Sequence, residues 1–536
     1  VTAAPRHGST LTGTAQLLRL VLRRDRVRMV IWVVAVVSLV ALSAASVVGL
    51  YDTAESLASY ANLVRDNAAM IVQSGPGHGL DDPTVGAVLI NEMSIWSVIA
   101  VALMSIFMVT RHTRTEEETG RSELVRAAPV GRHAAATAAM TGVLIANVAM
   151  AVGVTISLIV FDLPVAGSIA FGGALIGAGM MFASVALVAG QVASSARAAN
   201  GSAAAVLGVA FALRAAGDVG DGRLSWLSPI GWAQAVRAYA DERWWVLLLP
   251  VVASIGLIVT ADSLTSRRDL GAGLIAQRPG PAHAGPRLSS AVGLAARLHR
   301  GSIIGWSTGL AAVGFFYGVV AVEAESLLTD NPEMADFFAQ LGEGTLTDAF
   351  VATAALMLGL VASGYTVSAV LRLRGEETDG RVESVLSAPV ARRTWMGGHL
   401  LVALVGSVLV IGAGGLAMGL GFALASGDAG ELLRVLGATV TMVPAMLVLG
   451  GLAAALFGVL PRWALVAWAG LAVAAVVGLL AELIGLPNWM RDISPFTHLP
   501  ALPAAPFEVL PLVMLTAVAA ALAAIGLAGL QRRDLT

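Results

Sequence analysis

Twelve long runs in this chain hold almost no charge, and that restricts it to few architectures. They lie near residues 29–51, 91–110, 135–160, 168–191, 198–214, 244–262, 302–322, 349–371, 397–424, 435–458, 463–481 and 509–530. Each is about as long as a helix that crosses a bilayer, for which roughly 20 apolar residues suffice. Inside lipid the backbone must satisfy its own hydrogen bonds, and a helix does so within one segment. Charged residues are 13% and hydrophobic residues 57% of 536 positions, a balance too apolar for a soluble protein of this length. The expectation is an all-α polytopic membrane protein.

What lies between the runs is organised by a repeat. The segment Arg114 to Arg132 recurs from Arg374 to Arg392, an offset of 260, with 11 of 19 positions identical. Each copy sits between the second and third span of a half, so the chain reads as two parallel repeats of six transmembrane helices. The predicted division is a first six-span domain over 1–270 with its charged loop at 111–133, a Gly/Pro linker at 271–290, and a second domain over 291–536 with its loop at 371–393. Weaker matches keep the same order: Ser228-Pro229 with Ser494-Pro495, and Arg267-Arg268 with Arg532-Arg533.

Arginine sets the orientation, because basic loops stay on the cytoplasmic side. With the N-terminus inside, 26 of the 33 arginines fall in cytoplasmic segments, which places both termini and both charged loops in the cytoplasm. Acidic residues run the other way, with seven between Glu323 and Asp348. Six arginines before Met29 predict a basic amphipathic helix on the membrane surface, followed by a first span over Met29 to Tyr51. A cleaved signal peptide is the competing reading of that stretch.

The loops carry the most specific pattern. Glu117 with Arg121, and Glu377 with Arg381, stand four residues apart in the order that favours a helical ion pair of about 0.3–0.5 kcal/mol. Gly120 and Gly380 are expected to break that helix, and Pro129 and Pro389 to begin the third span of each half. A short helix between two breaks then offers Glu123 and Glu383, with Leu124, Val125, Val385 and Leu386, to a cleft on a partner. Glu116, Glu376, Arg132 and Arg392 complete the repeated set. A plain topogenic connector is the alternative, but it has no need to keep Gly, Pro and paired Glu in register across diverged halves.

Other chemistry is thin. All basic residues are arginine, and a phosphate-binding loop of the Gly-Lys-Ser/Thr type cannot be built without lysine. Cysteine is absent, and the eight histidines show no metal-ligand spacing. No nucleophilic triad or paired carboxylate stands out, so catalysis is not expected, and the arginines read as topogenic with no nucleic-acid patch. Glu92 and Arg214 could pair near the outer ends of their spans or line a pathway. Segments 215–243 and 482–508, rich in Gly, Pro and Trp, read as re-entrant outer hairpins or as interfacial aromatic belts.

Six spans per half, a basic segment before the first, and Glu-Glu-x-x-Gly-Arg-x-Glu with a following Pro-Val-x-Arg between the second and third resemble the ABC-2 type exporter permeases. The resemblance is closest to the fused two-half permeases of actinobacterial tetronasin or polyketide antibiotic exporters. It implies a permease of the bacterial inner membrane with no cofactor of its own. ATP and magnesium would be bound by two copies of a separate ATPase subunit docked on the loops. It also points to the second and fifth spans as cavity walls, with Met104, Phe107, Phe211, Met357 and Tyr365 as lining residues. Nearly uncharged spans favour a hydrophobic or amphipathic cargo, a drug-like polyketide or a lipid, moving outward among membrane lipids. The alternatives are an ion-coupled secondary transporter of the twelve-span facilitator type, which usually needs buried charges that these spans scarcely hold, and a membrane scaffold that binds an ATPase without transporting.

Overall fold

The computed structural model describes residues 10–65, 67–267, 273–275, 282–283, 285–329, 346–480 and 487–534. Regular structure among them is helical, with no strand. Twelve helices are long and apolar enough to cross a membrane, and the protein is a polytopic membrane protein of twelve spans. The chain forms two compact units, Val1–Gly280 and Pro281–Thr536, each holding six of these helices. Of the expected linker, residues 271–272, 276–281 and 284 lie outside the described residues, as do 330–345 of the acidic stretch and 481–486 of the second hairpin.

In the first unit the spans are α1 (Thr14–Leu50), α2 (Val85–Glu118), α3 (Ala134–Val160), α4 (Val165–Val192), α5 (Ala196–Val219) and α6 (Trp244–Thr265). In the second they are α7 (Ala291–Ala321), α8 (Thr347–Thr378), α9 (Arg392–Ser426), α10 (Glu431–Val459), α11 (Pro461–Leu479) and α12 (Val509–Arg532). The packing repeats as well as the order. In each unit the first span runs along the third, the fourth along the sixth, and the second and fourth are the most buried.

One expectation fails at the start of the chain. The basic stretch is no separate surface helix, because α1 runs unbroken from Thr14 to Leu50 and contains it. No proline interrupts that sequence and its one glycine, Gly49, comes in the last turn, so nothing stops the helix as it passes from basic to apolar residues. Helix starts elsewhere follow local chemistry. Thr84 accepts from the Ala87 amide at 3.2 Å to cap α2, and Ser195 accepts from the Ala198 amide at 3.2 Å to cap α5.

The repeated Ser-Pro pairs do the same work in both units. Ser228 is fully buried and donates to the carbonyl of Ala210 on α5 at 2.6 Å, while Ser494, also buried, donates to Ala474 on α11 at 3.4 Å. Each pins the hairpin after the fifth span back onto that span. In the first unit the hairpin continues through a stretch with left-handed φ at Arg237, Tyr239 and Asp241. Such angles cost about 1–3 kcal/mol at each non-glycine residue unless the surroundings hold them. The hold here is Tyr239, whose ring lies where a Cβ on Gly86 of α2 or Gly167 of α4 would stand, and whose hydroxyl meets Ser168 at 2.8 Å.

Burial, with Arg237 and Arg243 close by, pulls the nearby His78 down to about 4 from an ordinary 6.5. Between those values the unfolded chain binds more protons than the folded one, so this histidine removes stability as pH falls through that window and contributes no slope above it. Thermal unfolding of the native chain should therefore lose more between pH 7 and pH 5 than that of His78→Gln, as scanning calorimetry in detergent would record.

Close helix approach gives a second expectation. α10 and α12 meet where Gly458 faces the backbone of Gly526 and Gly526 faces that of Ala454, whereas Gly412 on α9 has no atom within 4 Å of where its Cβ would stand. Gly526→Leu should destabilise the second unit by about 1–3 kcal/mol or abolish folding, while Gly412→Leu leaves the melting temperature unchanged. Fluorescence-detected size exclusion after heating measures both.

Candidate functional site

The charged loops are built alike. After Glu118 and Thr378 the helices stop, and Gly120 and Gly380 take left-handed φ of 72° and 70°. Open space surrounds both glycines, so their backbone freedom, not lack of room, is what the turn requires. Short helices Arg121–Arg126 and Arg381–Leu386 follow.

This turn rewrites the expected ion pairs. Arg381 donates to Glu376 at 2.7 and 3.2 Å, and Arg121 stands 3.7 Å from Glu116. The pairing is five residues apart across the glycine, not four along a helix, because the left-handed residue swings the arginine back over the preceding turn. In the second loop the Glu376 hydrogen bond holds the Arg381 guanidinium above its usual pKa range. The prolines also differ from expectation. They precede the third spans, and the amides of Val130 and Val390 reach back to Ala128 and Ala388 at 2.7 and 2.6 Å, closing a three-residue turn around Pro129 and Pro389.

With Arg121 and Arg381 taken elsewhere, Glu117 and Glu377 turn inward. Glu117 accepts from Arg114 at 3.0 Å, and Arg114, 1% exposed, also donates to the carbonyl of Ser194 at 2.7 Å. Glu118 accepts from the amide of Ala196 at 2.9 Å, so the first loop is tied to the start of α5. On its other side Arg24 of α1 reaches Glu116 at 2.6 Å, and Asp25 meets Arg111 at 3.0 Å and His112 at 2.5 Å. In the second unit Arg533, beyond the end of α12, clasps Glu377 with two bonds of 2.6 and 2.9 Å, and Arg392 donates to the Arg533 carbonyl at 2.6 Å. Both loops are thus anchored to their own bundles: among the described residues, the first to α5 and α1, the second to the segment just after α12. Sequence reasoning missed Arg24, Arg114 and Arg533 as anchors, since their partners are set by the turn and by distant segments.

What remains outward is the rest of the motif. Glu123, Leu124 and Pro129 are exposed, Leu124 at 78%, as are Glu383, Ser384 and Pro389. Val125, Val385 and Leu386 are half-buried and Arg132 is exposed. Behind the first ridge lies a cavity of about 120 Å³ bordered by Leu17, Arg24, Glu116, Val125 and Val130.

The lining residues expected within the spans scatter. Met104 is buried and shares a cavity of about 320 Å³ with Phe107, Trp32, Arg28 and Arg111. Phe211 lies under the Arg214 guanidinium at 4.7 Å. Arg214 itself bonds the carbonyls of Ile71 and Val72 at 3.1 and 2.8 Å and reaches Asp218 at 3.4 Å, so its partner is not Glu92. Met357 accepts from Tyr317 at 3.3 Å. Tyr365 is fully buried against Trp306 and Gly406, in the core of its unit.

Two six-span units, each carrying the same anchored charged loop, define a duplicated polytopic protein of the permease class. The family described as multidrug efflux system permease Rv1217c, C-terminal domain, matches residues 288–531. The chain is 42% identical over 501 residues to the multidrug efflux system permease protein Rv1217c of Mycobacterium tuberculosis, covering 93% of this chain and 90% of that protein. It belongs to this family of multidrug efflux permeases.

Breaking the second anchor should be costly. Glu377→Ala leaves the Arg533 guanidinium unpaired beside Phe457, and losing one partner of a buried pair costs about 3–5 kcal/mol. A double-mutant cycle with Arg533→Ala, read by thermal unfolding, should show strong coupling, and Glu123→Ala should shift the midpoint little.

Proposed function

We propose that this chain is the membrane-spanning permease of an ATP-driven exporter of the ABC-2 type. It moves hydrophobic or amphipathic compounds, drug-like or lipid, out of the cell across the bacterial inner membrane. Two separate ATPase subunits, which bind the ATP and magnesium, dock on the two loops at the cytoplasmic face, where both termini also lie.

One observation carries this reading. In each loop the inner carboxylates are spent on anchors, while Glu123, Leu124 and Pro129, and likewise Glu383 and Pro389, face outward. A loop that merely joined two spans has no use for such a division. A loop that receives force needs a face for the partner and a rigid tie to the helices that must move. The relative named as a multidrug efflux permease supports the outward direction and the cargo class.

The experiment is co-purification with a candidate ATPase expressed together with this chain. Glu123→Arg with Glu383→Arg reverses charge on the exposed ridges and touches no anchor, so the permease should keep its melting temperature and retain less than a tenth of the native ATPase. Full retention by the variant would remove the ridges from the docking surface. Failure of any ATPase to accompany the native chain would end the exporter reading.

A further inference from the structure

At the end of the first unit opposite its charged loop, a cavity of about 270 Å³ opens between the segment before α2 and the hairpin after α5. Its wall includes His78, Arg237, Arg243, Gln234, Asp218 and Trp226. Asp218 is already engaged, by Arg214 at 3.4 Å and by the hydroxyl of Ser225 at 2.5 Å. Arg237 and Arg243 are not: among the described residues neither has a carboxylate within 4.0 Å, and the Nε of Arg237 is buried without a hydrogen-bond partner. Asp241, the acid nearest to Arg237 in the chain, is exposed to solvent and makes no ion pair with it.

Two guanidinium groups facing one cavity repel each other, and proteins hold such pairs where an anion joins them. The backbone that carries them is the left-handed stretch fixed by Tyr239 between Gly86 and Gly167, so both the cations and the strain are held in place. Depth comes from the tryptophans. Trp226 lines the cavity and stacks on Trp245 at 5.9 Å, and with Trp244 all three are more than 40% exposed on the membrane-length bundle. Exposed tryptophans of this kind mark the headgroup layer of a bilayer.

We propose that this cavity is a phosphate site at headgroup depth, in which Arg237 and Arg243 bind the phosphate of a membrane lipid. Arginine meets phosphate oxygens in paired bonds, and basic pockets between spans hold anionic headgroups in the same way. Gln234, whose amide nitrogen donates to Ser74 at 3.0 Å and to Ser94 at 3.3 Å, keeps its carbonyl oxygen free of any bond at the cavity wall, where it can accept from the hydroxyls of a glycerol headgroup. The site makes no use of the exporter reading and survives its failure.

Native mass spectrometry of the full chain in non-ionic detergent, titrated with dioctanoyl phosphatidylglycerol or with inorganic phosphate, tests this. The native chain should take up one saturating lipid, and Arg237→Gln with Arg243→Gln should weaken uptake at least tenfold. Arg223→Gln should match the native chain, since Arg223 is exposed and already paired with Asp221. His78→Asp puts a carboxylate inside the cavity; it should abolish uptake and raise the melting temperature by supplying the missing counter-charge. Saturation by inorganic phosphate at the same concentration would keep the site and make its source a free anion. Uptake unchanged in both the double variant and His78→Asp, or no saturable uptake of either probe by the native chain, would overturn the assignment.

Discussion

A carboxylate at the end of a spanning helix and shielded from water must find a cation, and in each unit of this protein one such cation comes from outside that helix. Glu116 finds Arg24, 92 residues earlier, and Glu377 finds Arg533, 156 residues later. Neither pair is worth much as net stability, because desolvation offsets most of the Coulomb attraction. Their importance is geometric. Once each loop is fastened to a second helix, it stops being a tether between neighbouring spans and becomes a part of the bundle that can be pushed.

The two loops use the same turn. Left-handed Gly120 and Gly380 turn Arg121 and Arg381 toward Glu116 and Glu376, and Glu117 and Glu377 take other partners. In the first unit Arg114 and Glu118 grip main-chain atoms at the start of α5. In the second the Arg533 side chain, beyond the end of α12, grips Glu377. Among the described residues the first loop is thus tied to the fifth span and to α1, and the second to the segment after the sixth; Arg268, the first unit's counterpart of Arg533, lies outside them.

Much of this was legible in the chain. Span positions follow from uncharged length, and the duplication from 11 shared residues in the loop, because both signals are local. The Ser-Pro matches, weak as text, turn out to place the same serine hydroxyl on the fifth span of both units. Spacing misled wherever the backbone left the helix: Glu117 to Arg121 is the right interval for a pair, but the interval counts only if φ stays helical through position 120. Likewise the arginines before Met29 suggested a surface helix, and the absence of a breaker made the five from Arg19 to Arg28 part of the first turns of α1, while Arg6 lies outside the described residues. Tyr365 was expected to line a pathway only because the resemblance makes the second span a cavity wall, and burial by Trp306 and Gly406 is a packing fact that no span pattern displays.

The difference between main-chain and side-chain anchors bears on how such contacts age. Ser194 and Ala196 contribute only a carbonyl and an amide, which every residue but proline supplies in full, so those positions can drift through many substitutions without loosening the first loop. Arg533 has no such freedom, since its guanidinium makes both bonds to Glu377. One kind of anchor therefore stores its linkage in the shape of the main chain and leaves almost no trace at the positions that supply it. The other stores it in a single letter, which a single nucleotide change can erase.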